Sequence, residues 1–151
     1  PTASDADLLR ALQLSCADHL LLNQPHGLDL KLRENGHGLS GGQKQAVILS
    51  RTLLRSPNIL LLDEPTASLD ELTEQRIIQN LQEWLGTRTL IVATHRYPIL
   101  SLVDRIIVID EGRIVLDGPK EEILAVMVKR NKQHAPASDP VEAPTPSDGE
   151  E

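Results

Sequence analysis

The chain has 151 residues, a length that fits one domain of ordinary size, and 40% of them are apolar. The formal net charge of -7 argues against a nucleic-acid partner, because such a surface needs clustered Lys and Arg. One cysteine excludes an internal disulfide framework and is typical of a reducing compartment. No apolar run approaches the roughly 20 residues of a membrane helix, so a cytosol-facing domain is the simplest interpretation.

Two helices and a loop are predicted before residue 39. Ser4 stands three residues before Asp7 in a capping pattern, and leucines follow at helical spacing, which predicts a helix over about residues 5–15. A second short helix is expected around 18–22. The glycines and the proline within 24–38 predict a loop.

From Ser40 onward, helices and strands are predicted to alternate. The patterns give a helix over about 41–55, a strand at 59–62, a helix over about 71–85 and a strand at 89–93. The unbroken apolar run at 59–62 predicts a strand buried on both faces, and 89–93 is expected to be buried too. This alternation predicts a parallel α/β sheet with right-handed crossovers.

A hairpin and a last helix follow. Two apolar strands flank Glu111-Gly112, which is a hairpin signal, and Pro119 is expected at the first position of the last helix. Residues 134–151 contain four prolines and five acidic residues. Such a composition cannot bury enough apolar surface, so we assign 129–151 to a disordered, acidic, proline-rich tail.

The segment Leu39–Gln43 comes directly before the helix at 41–55. Free N–H groups at a helix start attract an anion, and Gly41 and Gly42 let a phosphate approach the backbone. The Ser40 hydroxyl adds a donor. An alternative is equally simple, because Ser40 and Gln43 also form an S-x-x-Q capping box with a glycine turn.

Two carboxylates, Asp63 and Glu64, follow the strand at 59–62. Ligands of open α/β sheets bind outside the carboxyl ends of the strands. Asp63 is placed to hold Mg²⁺, partly through water, and Glu64 to accept a hydrogen bond from an attacking water. Alternatively these are solvated acids, although that explains poorly why they follow four aliphatic residues and precede Pro65.

Asp70 and His95 are further candidates. Asp70 precedes a helix, where it serves as an N-cap and has a possible second role in coupling two sites. His95 follows the second strand and is therefore expected near Glu64, where an imidazole can donate a hydrogen bond to a terminal phosphate. A lone histidine is more often structural or merely exposed.

Together these pieces resemble the ABC ATPase family over about residues 4–125. LSGGQ at 39–43 is similar to the signature motif, and ILLLDEP at 59–65 to the Walker B strand with its catalytic glutamate. ASLD at 67–70 is similar to the D-loop, and ATHR at 93–96 to the switch-histidine loop. The resemblance implies the C-terminal half of a P-loop NTPase fold over 1–128, with a helical signature subdomain at about 4–55 and a core at about 56–128.

The resemblance also implies a head-to-tail dimer that binds ATP and Mg²⁺. Ser40, Gly41, Gly42 and Gln43 would contact the γ-phosphate of a nucleotide held by the second ATPase domain, and Asp70 would lie across the interface. Asp63, Glu64 and His95 would serve the site of their own subunit. Closure by ATP and reopening after hydrolysis would drive attached membrane segments.

Further stretches are similar to exporters, and most of all to type I secretion ATPases, which export adhesins or toxins. These are Gly27–Asp29, Glu34–Gly36, Thr73-Glu74 and the stretch from Tyr97 to Lys120. The similarity implies a transmembrane partner, a protein substrate and a place on the cytoplasmic face of the bacterial inner membrane. Alternatives are an importer ATPase, a DNA-repair ATPase, or a non-catalytic module that binds an ABC partner.

One family motif is absent. No G-x-x-x-x-G-K-[ST] sequence, the P-loop, occurs in the 151 residues. Because the chain begins with Pro1 rather than Met, we expect a cut or processed start, with the P-loop upstream. The chain alone is predicted to be inactive as an ATPase, and marginal in folding because its first strand would lack neighbours.

Overall fold

The computed structural model describes residues 3–22 and 26–134. The chain divides into two compact units, Pro1–Asp104 and Arg105–Glu151, and each is described by itself. Among the described residues, none of the helices combines the length and apolar character needed to cross a bilayer.

In the part that the structure describes, the first unit contains three α-helices and two strands, close to the predicted positions. In chain order these are α1 (Asp5–Leu14), α2 (Gly41–Leu54), β1 (Ile59–Asp63), α3 (Glu71–Leu85) and β2 (Thr89–Ala93). Short 3-10 turns lie between α1 and α2 at Asp18–Leu21, Gly27–Asp29 and Glu34–Gly36, and another follows β2 at Pro98–Leu102. The predicted loop at 24–38 therefore contains two of these turns, and its residues 24 and 25 lie outside the described residues.

The predicted helix starts are confirmed by their caps. At α1, the Ser4 hydroxyl oxygen accepts a hydrogen bond from the Asp7 N–H at 3.2 Å, and the Asp7 carboxylate accepts one from the Ser4 N–H at 3.1 Å. Reciprocal caps of this kind satisfy N–H groups that have no partner within the helix. These local bonds fix where the helix begins before any tertiary packing is considered.

β1 and β2 pair in parallel, as predicted, from Ile59 opposite Thr89 to Asp63 opposite Ala93. One face of this pair carries the core. Leu60 is 1% exposed and packs in one cluster with buried residues of α2 and α3, which are Leu49, Leu53, Ile77, Leu81 and Leu85. The two helices therefore hold the strand ends in place from one side.

The expectation that β1 is buried on both faces was wrong, and so was the expectation that β2 is a buried strand. Ile59 and Leu61 are 56% and 68% exposed, and Ile91 of β2 is 55% exposed. Successive side chains of a strand point to opposite faces, and α2 and α3 cover only the face of Leu60. Within the described residues these two strands form a sheet of two, with an apolar face on the other side.

The second unit is a hairpin followed by a helix. β3 (Arg105–Asp110) and β4 (Arg113–Pro119) pair antiparallel, with a bulge between Val108 and Ile109. Glu111 and Gly112 have φ values of 45° and 75°, the positive pair that a type I′ turn requires. The predicted hairpin is confirmed.

The last helix, α4, runs from Lys120 to His134. It begins one residue later than predicted, because Pro119 still pairs with Arg105 as the last residue of β4. Helical structure therefore includes residues 129–134, which the sequence assigned to the disordered tail. The rest of that tail, 135–151, lies outside the described residues.

Candidate functional site

The carboxyl ends of β1 and β2 bring the predicted catalytic residues together. The Glu64 N–H donates to the Ala93 carbonyl at 2.9 Å, which extends the pairing one residue past Asp63. Nδ1 of His95 lies 2.6 Å from the Glu64 Oε1 atom. The expected proximity of Glu64 and His95, drawn from the rule that parallel strands end at one edge, is confirmed.

Three donors from the segment after β2 surround the Glu64 carboxylate. The Thr94 hydroxyl donates at 3.1 Å, the His95 N–H at 2.9 Å, and the His95 ring contributes the third contact. Glu64 itself has φ of 42°, a left-handed conformation that side-chain-bearing residues rarely adopt. Strain of this kind clusters at sites where a side chain must be held in one position.

The charge of Glu64 determines which ring nitrogen of His95 carries a proton. Burial raises the pKa of Glu64, but the hydrogen bonds from His95 and Thr94 outweigh it and the net pKa is lowered. An ionised carboxylate can only accept, so Nδ1 of His95 must carry the proton in this pair. Nε2 then has no hydrogen-bond partner among the described residues, on a side chain that is 79% exposed.

Asp63 is exposed at the end of β1, beside Glu64. Within residues 3–22 and 26–134, no group of three or more His, Cys, Asp or Glu side chains could hold a metal ion. Mg²⁺ in nucleotide sites does not need such a cage, since one or two carboxylates, water and substrate phosphates complete its coordination. The exposed Asp63 carboxylate fits that mode of binding.

The start of α2 forms the capping box that the sequence offered as the alternative. The Ser40 hydroxyl oxygen accepts from the Gln43 N–H at 3.2 Å, and the Gln43 side chain accepts from the Ser40 N–H at 2.9 Å. The box leaves the hydroxyl proton of Ser40 and the first helical N–H groups available. Ser40 and Gly41 are exposed, so capping and anion binding are compatible at this helix start.

Packing requires a glycine at position 42, which the sequence did not show. A Cβ atom at this position would lie 2.8 Å from the Ser68 carbonyl oxygen and 3.3 Å from the Leu69 side chain. At Gly41 the nearest atom would be the Ser68 Cβ at 3.4 Å, an ordinary contact. Gly42 thus lets α2 lie directly on the segment that follows β1.

Gln45 bridges the same two segments, and sequence reasoning missed it. Its amide nitrogen donates to the Glu64 carbonyl, and its amide oxygen accepts from the Ser68 N–H at 3.1 Å. Within the described residues, no hydrogen bond joins Ser40–Gln43 directly to Glu64 or His95. The available signal was the position of Gln45 next to the apolar face of α2. Its neighbours Ala46 and Leu49 are buried, and Gln45 itself is partly buried.

Asp70 caps α3, as predicted. Its two carboxylate oxygens accept from the Thr73 N–H at 3.0 Å and the Thr73 hydroxyl at 2.7 Å. These bonds, the side-chain one first, lower the pKa of Asp70 and keep it ionised at the positive end of the helix.

A buried carboxylate behind the two strand ends was also missed. Glu74 is 1% exposed, and it accepts from the Thr66 hydroxyl at 2.6 Å and from the Arg96 Nε at 2.9 Å. A second guanidinium nitrogen of Arg96 bonds the other oxygen, and these bonds raise the pKa of Arg96. The signal was a glutamate on the apolar face of α3, three and four residues before the buried Ile77 and Ile78.

Comparison with known proteins agrees with this geometry. The family model for ABC transporters matches residues 16–67. The chain is 37% identical to the heterocyst differentiation ATP-binding protein HepA of Nostoc over 132 residues, which are 87% of this chain and 22% of that protein. It is 39% identical to an ATP-dependent lipid A-core flippase of Neisseria meningitidis over 125 residues, 83% of this chain and 20% of the flippase.

A solved structure, a bacterial Atm1-family ABC exporter with ATP bound, superposes with a TM-score of 0.76 at 33% identity. The match covers 91% of this chain and 25% of that one. The chain belongs to the ABC transporter ATPase family. Its α/β fold with a parallel sheet is a partial ABC ATPase fold, and it spans about a fifth of the curated relatives that it matches.

Within the ABC framework, the site elements can be named. By their resemblance to ABC motifs, segment 39–43 is referred to as the signature segment, β1 as the Walker B strand, 67–70 as the D-loop and 93–96 as the switch-histidine loop. Glu64 and His95 join Walker B to the switch loop, while Gly42 and Gln45 join the signature helix to the D-loop. The relatives reported above do not single out type I secretion ATPases, so the finer assignment stays a proposal.

Proposed function

We propose that this chain supplies the signature, Walker B and switch-histidine half of an ATP-hydrolysing domain in an ABC exporter. One observation supports this most directly, namely the contact between the Glu64 carboxylate and the His95 ring at the shared end of β1 and β2. An acid and an imidazole at such an edge are placed to act on a nucleotide bound outside the sheet.

Glu64 accepts a hydrogen bond from the attacking water in this proposal. A carboxylate offers about four acceptor sites, and three are filled by Thr94 and His95, which leaves one for the water. The lowered pKa of Glu64, set by burial against the His95 and Thr94 bonds, keeps it ionised near neutral pH. It orients the water and accepts a proton from it as the bond between the water oxygen and phosphorus forms.

His95 contacts the terminal phosphate through its exposed Nε2 atom. With Nδ1 held by Glu64, Nε2 donates to a phosphate oxygen only when the ring carries both protons. The Glu64 carboxylate lies on the Nδ1 side of the ring, and the phosphate would place negative charge on the Nε2 side. His95 thereby becomes sensitive to the presence of the γ-phosphate.

The start of the signature helix binds the γ-phosphate of ATP held by a second ATPase domain. The Ser40 hydroxyl and the N–H groups of Gly41 and Gly42 are the donors, while Gln43 fixes Ser40 through the capping box. Asp70 lies at the interface of this head-to-tail dimer, and Asp63 would hold Mg²⁺, which supplies neutralisation of phosphate charge.

A P-loop must come from another segment or another chain, because these 151 residues contain none. The exposed apolar face of the sheet, formed by Ile59, Leu61 and Ile91, supports this part of the proposal. Covering each side chain fully is worth about 1.5–3 kcal/mol, so a further layer from the segment that carries the P-loop would pack on this face favourably. The chain alone is expected to be inactive.

We further propose export across the bacterial inner membrane from its cytoplasmic face, with a protein as substrate, as in type I secretion. Support for export comes from relatives named as a lipid A-core flippase and as an Atm1-family exporter. Support for a protein substrate comes from the similar stretches at 27–29, 34–36, 73–74 and 97–120. A transmembrane domain is the partner that this function requires.

A chimeric exporter tests the catalytic part. Residues 3–134 replace the matching segment of the Neisseria flippase, of which the match covers 20%. Mg²⁺-dependent ATP hydrolysis is expected, and Glu64→Gln should lower kcat by about 10²–10⁴-fold, the usual contribution of a general base. The matched control is Asp117→Asn, which breaks the exposed Arg105–Asp117 pair and should leave kcat unchanged.

A fully folded chimera without hydrolysis, or one that is indifferent to Glu64→Gln, contradicts the catalytic proposal and favours a non-catalytic binding module. The assignment to an exporter is tested separately, by reading the sequence of the polypeptide that carries the P-loop. Six apolar spans of about 20 residues before the P-loop support an exporter. A P-loop on a protein without such spans supports an importer ATPase, and long heptad repeats support a DNA-repair ATPase.

A further inference from the structure

Glu74 places a full charge inside the first unit, and that charge has a specific pair of partners. A buried carboxylate is costly unless hydrogen bonds and a counter-ion satisfy it. Here Thr66 and Arg96 supply them, through bonds to both carboxylate oxygens. The two partners come from different loops, one after β1 and one after β2.

Each of these loops carries residues of the proposed site. Thr66 lies between Glu64 and Asp70 in the loop after β1, and Arg96 directly follows His95 in the loop after β2. Thr66, Glu74 and Arg96 form a link between the two loops. Thr66 is fully buried, while the Arg96 side chain is 29% exposed, so the Thr66 end of this link is enclosed and the Arg96 end is partly open to solvent. Arg96 therefore connects the exposed His95 with the buried Glu74.

The first turn of α3 connects the link to Asp70. The Glu74 N–H donates to the Asp70 carbonyl at 2.9 Å, and the Asp70 side chain caps the same turn through Thr73. A short chain of contacts thus runs from His95 through Arg96 and Glu74 to Asp70. Contacts of this kind carry coupling only if both ends shift together, which is a measurable property.

We propose that Glu74 is a positioning residue that ties the switch-histidine loop to the D-loop, so that the two loops move as one unit. The functional half of this inference rests on the proposed function. There, His95 responds to the nucleotide of its own subunit and Asp70 faces the second ATPase domain. Glu74 then transmits nucleotide occupancy at one site to the interface that shapes the other.

Thr66→Val is the sharpest test, because it removes one hydroxyl with little change of shape and does not touch Arg96. Backbone amide hydrogen exchange is measured in the full 151-residue chain. The reporters are the Ser68 and Leu69 amides in the D-loop and the His95 and Arg96 amides in the switch loop, all hydrogen-bonded in the structure. Exchange at both pairs is expected to rise about tenfold or more.

Two further variants separate positioning from general stability. Glu74→Gln keeps the shape and removes the charge that holds Arg96, so exchange should rise in both loops again. Ile77→Val loosens the buried face of the same helix without touching the link, and should change exchange across α3 without singling out the loops. If Thr66→Val affects only its own loop, or if all three variants give one uniform change, the inference is wrong.

Activity of the chimeric exporter gives the second readout. Thr66→Val and Glu74→Gln should lower the Hill coefficient for ATP toward 1, with KM changed by less than about twofold, while Ile77→Val should alter neither. An unchanged Hill coefficient overturns the transmitted effect. A chimera that never hydrolyses ATP contradicts the proposed function instead, and the exchange result still decides whether Glu74 ties the loops.

Discussion

Replacing Gly42 by alanine tests whether this glycine is required by packing inside the chain. The added Cβ would lie 2.8 Å from the Ser68 carbonyl oxygen, a backbone atom that cannot move independently of the D-loop. Overpacking of this kind costs about 1–3 kcal/mol of unfolding free energy. The gain in helix propensity of alanine over glycine returns up to about 1 kcal/mol, so a net loss of about 1–2 kcal/mol is expected.

Gly41→Ala is the matched control at the adjacent position. Its Cβ would meet the Ser68 Cβ at 3.4 Å, an ordinary contact, so only the propensity gain applies. This variant should be neutral or up to about 1 kcal/mol more stable than the parent. Both variants leave every backbone N–H group of the signature segment in place.

Urea unfolding followed by circular dichroism measures the difference. With an m-value of about 2 kcal/mol/M, the midpoint for Gly42→Ala should fall by roughly 0.5–1 M, while that for Gly41→Ala should stay or rise. An unchanged m-value shows that stability alone was altered. Equal midpoints for the two variants would refute the argument that Gly42 is needed for close approach to Ser68.

The remaining predictions concern the core and the charge of the site. Leu81→Ala, at a fully buried position of α3, should cost about 2–5 kcal/mol of unfolding free energy, whereas Leu72→Ala, 70% exposed on the same helix, should cost less than about 0.5 kcal/mol. If calorimetry finds equal losses of unfolding free energy for the two variants, the conclusion that only one face of α3 packs into the core would be contradicted. Thr94→Val should raise the pKa of Glu64, since burial raises this pKa and the hydrogen bonds from His95 and Thr94 outweigh burial and lower it. Carbon NMR of the carboxyl group measures the pKa, and an unchanged titration would contradict the assigned bond. The pKa of Glu64 is lowered in the folded state, so its hydrogen bonds stabilise the fold at pH values above the ordinary glutamate pKa of about 4.3. This contribution disappears as the pH falls through the lowered pKa. Acid titration of stability should therefore show a smaller loss in Thr94→Val than in the parent chain.

Local chemistry explains why so much of the secondary structure was predictable. The boundaries of α2 and α3 follow from Ser40 and Asp70 as caps, whose bonds involve residues only three positions away. The hairpin turn follows from Glu111-Gly112 in the same way. The proximity of Glu64 and His95 was predictable from one topological rule, that neighbouring parallel strands end at a common edge.

The burial of the strands was not predictable from their composition. Ile59-Leu60-Leu61-Leu62 is equally apolar at every position, so the sequence cannot show which residues face α2 and α3. Only the packing reveals that Leu60 is enclosed while Leu61 is exposed. An apolar run shows only that a strand can be covered on both faces. How many faces are covered depends on which other elements pack against the strand.

By itself the sequence determined the order of the elements, their caps and turns, and the family, because each of these depends on short-range patterns. Only the tertiary structure decided that Glu74 lies between Thr66 and Arg96, and that Gly42 and Gln45 hold α2 against the D-loop. These contacts join residues 8 to 26 positions apart, and no local pattern encodes which distant partner will satisfy a buried charge. The physical reason is that a buried polar group must find its partner in space, wherever the fold places one.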